Sequence, residues 1–298
     1  MAAAEPTSAP PAVTVLIPVY NEAASIRGIA VRLQAVLAQL PPGSEALVVD
    51  DGSTDGSGEE LARELDPAPS LRLLRHERNR GYGAALKTGV RAATTPLIAI
   101  ADADGTYPWG VIPRLAEDVA AGAAMAVAAR RLSDQPALRR PAKAFLNRYA
   151  SWLADSPIPD INSGLRVFRR EDALRLERLL PEAFSYTSTI TLALLGEGRR
   201  VAYRPIRYRQ RVGQSKIHPL RDTGRFLLLL ARMALLFNPL RVFGAASALL
   251  LGAGGLMLLG RLVSAHEFGV ATTIVLLVGG VQLFAVGLLA DLVNRRLG

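Results

Sequence analysis

Apolar residues fall into two regimes along this chain. Up to Ala129 they form short runs, each closed by a polar loop, whereas beyond Arg241 they form two long stretches without a charge. In the first regime, the run Val13 to Val19 passes into Tyr20-Asn21-Glu22, and Ile26, Ile29, Ala30, Leu33, Val36 and Leu37 follow at helical spacing. That pattern predicts strand, loop, helix. The unit repeats: Ala46 to Val49 ends at Asp50-Asp51-Gly52-Ser53-Thr54-Asp55-Gly56, with a polar helix from Gly58 to Leu65 behind it. Leu71 to Leu74 and Leu97 to Ala101 add two strands around a helix from Gly83 to Ala93, and Met125 to Ala129 adds a fifth. Strands alternating with helices predict an α/β, Rossmann-like, mostly parallel sheet with helices on both faces.

In the second regime, Val242 to Gly260 and Phe268 to Ala290 are each long enough to cross a bilayer core. They predict a two-helix transmembrane hairpin, with spans at about 242–262 and 268–291, whose outer ends share one side of the membrane. Arg241 flanks one outer end, and Arg295 with Arg296 the other. Positive residues favour the cytoplasmic side, so both termini and the region before the hairpin are expected there, in an integral membrane protein of the cell membrane. Arg261 is expected to snorkel to the far interface. Gly244, Ala248 and Gly252 form a small-residue stripe that lets helices approach closely, within the hairpin or between protomers of a homo-oligomer. Before the hairpin, Pro219 to Phe237 mixes three arginines with leucines and phenylalanines, which suits an amphipathic helix lying in the interface until Asn238-Pro239 breaks it. The first residues are rich in Ala and Pro, with neither the basic start nor the apolar core of a signal peptide. The expected divisions are a flexible N-terminus (1–12), a cytoplasmic catalytic domain (13–218), the interfacial helix (219–239) and the hairpin (240–298).

Composition narrows the chemistry. The chain has 298 residues, 50% of them hydrophobic and 20% charged, which excludes disorder. It has no cysteine, so disulfides, thiolate metal sites and a cysteine nucleophile are excluded. A formal charge of +9 points to an anionic partner: a membrane surface, a phosphate-bearing small molecule or nucleic acid. Few aromatics and no recognition motif argue against nucleic acid.

In sheets of this kind, ligands bind beyond the carboxyl ends of the strands. Asp102 and Asp104, two residues apart after the fourth strand, offer hard oxygen ligands for Mg²⁺ or Mn²⁺, with the remaining ligands drawn from water and a diphosphate; a turn with capping carboxylates is the alternative. Of Asp50 and Asp51, one can accept hydrogen bonds from a base or ribose while the other orders the loop. The segment from Arg78 to Gly83 opens a helix as a glycine-bearing loop able to hold phosphate, but it departs from the dinucleotide fingerprint. His76, His218 and His266 do not cluster with carboxylates in the sequence.

With these pieces in order, the chain resembles family 2 glycosyltransferases of the GT-A fold. Residues 15–22 (VLIPVYNE), 48–56 (VVDDGSTDG) and 102–108 (DADGTYP) match that family's donor and metal motifs, and residues 160–168 (DINSGLRVF) and 210–216 (QRVGQSK) resemble the acceptor-side motifs of its polyprenyl-phosphate sugar synthases. The resemblance implies that Pro18, Tyr20, Glu22, Asp50, Asp51 and Asp102 surround the nucleotide of a UDP- or GDP-sugar. It makes Asp102 and Asp104 the diphosphate and metal site, and gathers Arg130, Ser163, Arg166, Arg211 and Lys216 around the lipid phosphate, with Arg130 and Arg211 acting in catalysis. It also implies inverting transfer to a dolichyl or undecaprenyl phosphate. Thr106 departs from the pattern, standing where the mannose synthases carry Gln. Two rivals remain: another membrane family 2 transferase with a lipid or glycan acceptor, and a non-catalytic sugar-nucleotide-binding membrane protein. Trp109 and Trp152 do not lie in the Gln-x-x-Arg-Trp context of processive polysaccharide synthases, and the intact Asp102 and Asp104 argue against a silent binder.

Overall fold

The computed structural model describes residues 10–66, 70–134, 140–182, 185–207, 231–232, 235, 237–264 and 269–297. They belong to two compact units, one comprising Met1–Tyr149 with Pro157–Lys216 and the other Ala150–Ser156 with Ile217–Gly298.

The first unit is built on a seven-stranded sheet: β1 (Val13–Val19), β2 (Glu45–Asp50), β3 (Leu71–Arg75), β4 (Leu97–Ile100), β5 (Met125–Arg130), β6 (Arg166–Arg169) and β7 (Val201–Ile206). The order is β3-β2-β1-β4-β6-β5-β7. All pairings are parallel except those of β6, which runs antiparallel to both neighbours, β4 and β5. The five expected strands are present. β6 and β7 extend the sheet beyond them.

The central strands are mostly apolar because both faces are covered, as parallel sheets require. Val13, Val15, Leu16 and Ile17 are fully buried in β1, as are Ala46, Leu47, Val48 and Val49 in β2. The expected first helix is two: α1 (Ala23–Ile26) and α2 (Ile29–Leu37) meet at Gly28, whose φ of +67° interrupts the ladder. Ile26, Ile29 and Leu33 still share one core cluster with β1, so the helical spacing is kept across the break. Helices α3 (Ser57–Leu65) and α4 (Tyr82–Ala92) follow β2 and β3, and α5 (Ile112–Ala120) precedes β5. Gly89 lets α4 lie directly on β1, since a Cβ there would come within 2.1 Å of the Leu16 side chain. Among the described residues, α6 (Arg140–Ala154) follows β5, α7 (Arg170–Arg175) follows β6 and α8 (Tyr186–Gly196) precedes β7.

The second unit contains two long helices, Pro239–Ser264 and Val270–Leu297. Only 11% and 17% of their most apolar windows are buried, so they are not core helices of a soluble domain. They pack on each other through small residues: Gly254 lies against Leu277, Gly280 against Leu251 and Gly287 against Phe243, and the Ser247 hydroxyl donates to the Gly280 carbonyl at 2.7 Å. The expected stripe is not part of this contact, because a Cβ at Gly244 or Gly252 would meet nothing within 4 Å. A cation clasp closes the unit's start. Arg241 stacks over Trp152 at 5.3 Å and pairs with Asp155 at 3.1 Å, while the Asn238 amide donates to the Leu153 carbonyl. Most of the expected interfacial helix (219–239) lies outside the described residues.

Candidate active site

The loops after β1, β2 and β4 meet at the carboxyl edge of the sheet, held by side chains that the sequence places at its turns. Asn21 adopts a left-handed φ of +53°, a conformation asparagine tolerates better than most residues. Its backbone N–H donates to Ser53 Oγ, and the next two amides donate to Ser57 Oγ and Asp55 Oδ2. Asn21 Oδ1 in turn accepts from Thr54 N at 2.8 Å. The first and second loops are therefore one laced structure. It leaves Tyr20 40% exposed and Pro18 and Glu22 half-buried.

Asp50 and Asp51 both order the loop after β2. Asp50 is fully buried: Oδ1 accepts from Ser53 N, and Oδ2 pairs with Arg75 Nε at 3.2 Å. It anchors the β2 loop to β3 and has no surface to offer a nucleotide, which corrects its expected donor role. Asp51, 2% exposed, accepts the backbone amides of Arg80 and Gly81 at 3.0 and 2.8 Å and contacts His76 Nδ1 at 2.6 Å. Those two amides are thereby spent on a carboxylate, so the loop opening α4 is not a free phosphate cradle. Gly52 completes the junction: at φ +70°, a Cβ would fall 2.4 Å from the Arg78 backbone.

Asp102 and Asp104 leave β4 together. The Tyr82 hydroxyl donates to Asp102 Oδ1 at 3.4 Å, and the other carboxylate oxygen lies against Gly164, where a Cβ would approach to 2.2 Å. Gly164 N donates to the Tyr107 hydroxyl at 2.8 Å. Burial, reinforced by the Asp102 charge, raises the Tyr82 phenol pKa well above its ordinary value; burial raises Tyr107 too, so both stay protonated at neutral pH. Asp104 Oδ1 accepts both the amide and the hydroxyl of Thr106, at 3.1 and 2.7 Å. Thr106 thus orients a carboxylate, the task of a supporting residue around a metal ligand. Among the described residues no group of three or more His, Cys, Asp or Glu side chains could cage a metal. Two half-buried carboxylates, two residues apart, instead fit a hard divalent cation that takes its other ligands from phosphate and water.

Beyond the end of β5, Asp160 is the hub. It is 1% exposed and receives Arg130 in a fork, Nε to Oδ2 at 2.7 Å and Nη2 to Oδ1 at 3.0 Å, together with the Arg130 amide. Lys143 Nζ on α6 joins at 3.2 Å from Oδ1. Arg130 also lies over the Tyr107 ring at 5.6 Å, and the adjacent Arg131 is exposed. Burial pushes the Asp160 pKa up, but the hydrogen bonds and charge of Arg130, with the charge of Lys143, outweigh it and leave it below the usual carboxylate value.

Two expected phosphate contacts are withdrawn. Ser163 is fully buried and donates to the Ala128 carbonyl at 2.6 Å. Arg166 is also fully buried, and its guanidinium donates to the carbonyls of Ser163 and Thr187 and to Thr191 Oγ1. Both brace the segment that carries Gly164, and neither can reach a ligand. Arg211 and Lys216 lie outside the described residues. Sequence reasoning missed Tyr82, Tyr107 and Lys143. Tyr107 stood inside a quoted motif, but nothing in the spacing of Lys143 marks it.

Comparison with known proteins places this geometry. The description "Glycosyl transferase family 2" matches residues 14–176, and "GtrB C-terminal hairpin" matches residues 238–295. An undecaprenyl-phosphate 4-deoxy-4-formamido-L-arabinose transferase of Aeromonas hydrophila is 30% identical over 95% of this chain and 88% of its own. A dolichyl-phosphate hexose transferase of Haloferax volcanii is 29% identical over 69% of this chain and 86% of its own. A mannosyltransferase of Pyrobaculum calidifontis, solved with GDP-Man and Mn²⁺, shares the fold at a TM-score of 0.52 and 23% identity, over 96% of this chain and 87% of its own. Laced loops after β1 and β2, a pair of aspartates after β4 and a family match across more than half the chain converge on one assignment: the protein belongs to glycosyl transferase family 2.

Proposed function

We propose that this enzyme transfers a sugar from a nucleotide diphosphate to the phosphate of a polyprenol, with inversion at the anomeric carbon. The observation that carries this reading is the union of a family 2 catalytic site and a GtrB-type hairpin on one chain, an arrangement matched over 95% of its length by an undecaprenyl-phosphate transferase. Asp102 and Asp104 would hold Mg²⁺ or Mn²⁺, which offsets negative charge developing on the departing diphosphate. Thr106 and Tyr82 fix the two carboxylates. Pro18, Tyr20 and Glu22 contribute to the donor nucleotide pocket, and Asp51 shapes its floor by holding the Arg80–Gly81 turn.

The reaction needs no dedicated general base. A phosphate monoester has a second pKa of about 6, so the acceptor is largely dianionic at neutral pH. What the protein must supply is position, since in-line placement of two reactants replaces an entropic cost that would otherwise fall on the reaction. Arg130, with Arg211 and Lys216, supplies cations for the acceptor phosphate. The hairpin spans the cell membrane with the catalytic domain (13–218) and both termini in the cytoplasm, and residues 219–239 lie in the interface, where the lipid phosphate is found.

The test is a donor screen. Purified full-length protein is incubated with Mg²⁺ or Mn²⁺, one short-chain polyprenyl phosphate and a panel of UDP- and GDP-sugars, and products are identified by mass spectrometry. A polyprenyl-phosphate monosaccharide from one donor is the expected result. Sugar transfer only to non-lipid acceptors would overturn the reading.

A further inference from the structure

The Arg130–Asp160–Lys143 cluster contains a residue that the acceptor motifs do not include. Asp160 has one negative charge and serves two cations, and the division is unequal. Arg130 takes three of its hydrogen bonds through Nε, Nη2 and the backbone amide, while Lys143 takes one share at 3.2 Å. Lys143 meets no other carboxylate among the described residues. Its side chain is only 14% exposed, so the ammonium has surrendered most of its hydration for half of a counter-charge. A largely buried cation in that state favours an additional anion. An ammonium has three donors, and Asp160 uses one.

The position is what gives this charge a function. Arg130 stacks on Tyr107, the Tyr107 hydroxyl accepts from Gly164 N, and Gly164 lies against the Asp102 carboxylate. One aromatic ring and one glycine therefore separate the two-cation cluster from the diphosphate site. Asp160 is completely enclosed, whereas Arg130 and Lys143 retain 12% and 14% exposure, so the cations form the accessible side of the cluster. With Ser163 and Arg166 committed to the interior, Lys143 fills the vacancy they leave.

We propose that Lys143 is a binding residue for the acceptor phosphate, forming with Arg130 a two-cation seat, aligned from behind by Asp160, for a phosphomonoester dianion. This rests on the polyprenyl-phosphate reading above. The test measures initial rates of the full chain with a soluble short-chain polyprenyl phosphate, varying acceptor and donor separately. Lys143→Met should raise KM for the lipid phosphate about ten- to a hundredfold, the range for loss of one charge-assisted contact, and leave donor KM within about twofold. Lys143→Arg should restore much of the loss. Inorganic phosphate should compete with the lipid on the wild type and several-fold more weakly on Lys143→Met, which shows that the phosphate group itself is recognised rather than the prenyl chain. Lys143→Gln, which can still donate to Asp160, guards against misfolding of the Met variant and should show the same KM shift. An unchanged acceptor KM in either folded variant, with an active wild type, would overturn the role of Lys143 alone. A wild type that makes no lipid-linked product would instead defeat the underlying reading.

Discussion

Gly164 has an ordinary backbone conformation, so its lack of a side chain is required by its neighbour rather than by its φ. Adding a methyl would drive a Cβ to 2.2 Å from an Asp102 oxygen and force that carboxylate off its position. Gly164→Ala should therefore cut turnover by two orders of magnitude or more, while circular dichroism stays native; transfer within a fewfold of wild type would show that Asp102 need not sit where it does. Thr106→Val removes the hydroxyl from Asp104 and keeps the volume, and should raise the metal concentration for half-maximal activity by about tenfold, as loss of one hydrogen bond to a charge implies. Asp160 sets a pH signature. A carboxylate whose pKa falls on folding stabilises the fold at every pH above its unfolded value near 3.9, and withdraws that contribution as pH drops through its folded value. Tm should thus show no Asp160-linked change between pH 7 and 5, and its acid loss below about pH 4 should be shallower in Asp160→Asn. At this scale the spacing of the paired aspartates after an apolar strand was legible, although a turn with capping carboxylates reads the same way. Ser163 and Arg166 were misread because a polar residue in a motif looks the same whether it faces a ligand or braces a loop, and the partners of Arg166 at Thr187 and Thr191 lie on a distant helix.

Among the elements, the carboxyl edge of the sheet depends on backbone approaches that only particular residues permit. Gly52 combines a positive φ with the Arg78 backbone at 2.4 Å from any Cβ, so Gly52→Ala carries both conformational strain and a clash that no side-chain rotation relieves. It should destabilise the domain by more than about 2 kcal/mol and weaken donor binding, measured by denaturant unfolding and calorimetry. An unaffected midpoint would mean that the two loops are not held as described. The first five strands were legible as apolar runs closed by turns. β6 was not, since Arg166-Val167-Phe168-Arg169 shows two apolar residues between arginines and derives its burial from β4 and β5 on either side. β7 contains Pro205, which argues against a strand until its place at the sheet edge is known, where a missing N–H costs little. The division of α1 from α2 was visible only as Gly28, a residue that helices also tolerate.

At the scale of the whole molecule, two charge-free runs were sufficient to identify the hairpin, because few soluble folds use such a pair. The contact face within it was not legible: Gly244, Ala248 and Gly252 have the right spacing, yet Gly254, Gly280 and Gly287 make the close approaches, since facing partners decide which small residues matter. The topology has a direct check in a protein without cysteine. Single cysteines at positions 4 and 298 should resist an impermeant thiol reagent in intact cells and one at 266 should react; the opposite pattern would reverse the orientation. The central claim joins both ends of the chain, a family 2 site and a membrane hairpin acting on one lipid phosphate. It is tested most directly by comparing initial rates of transfer to a short polyprenyl phosphate and to the same polyprenol without its phosphate, using the donor found in the screen. A lipid-linked monosaccharide is expected from the phosphate, with a rate at least a hundredfold lower from the alcohol, because the alcohol has neither the dianionic nucleophile nor the group that Arg130 would bind. Equal rates with the two acceptors would contradict it.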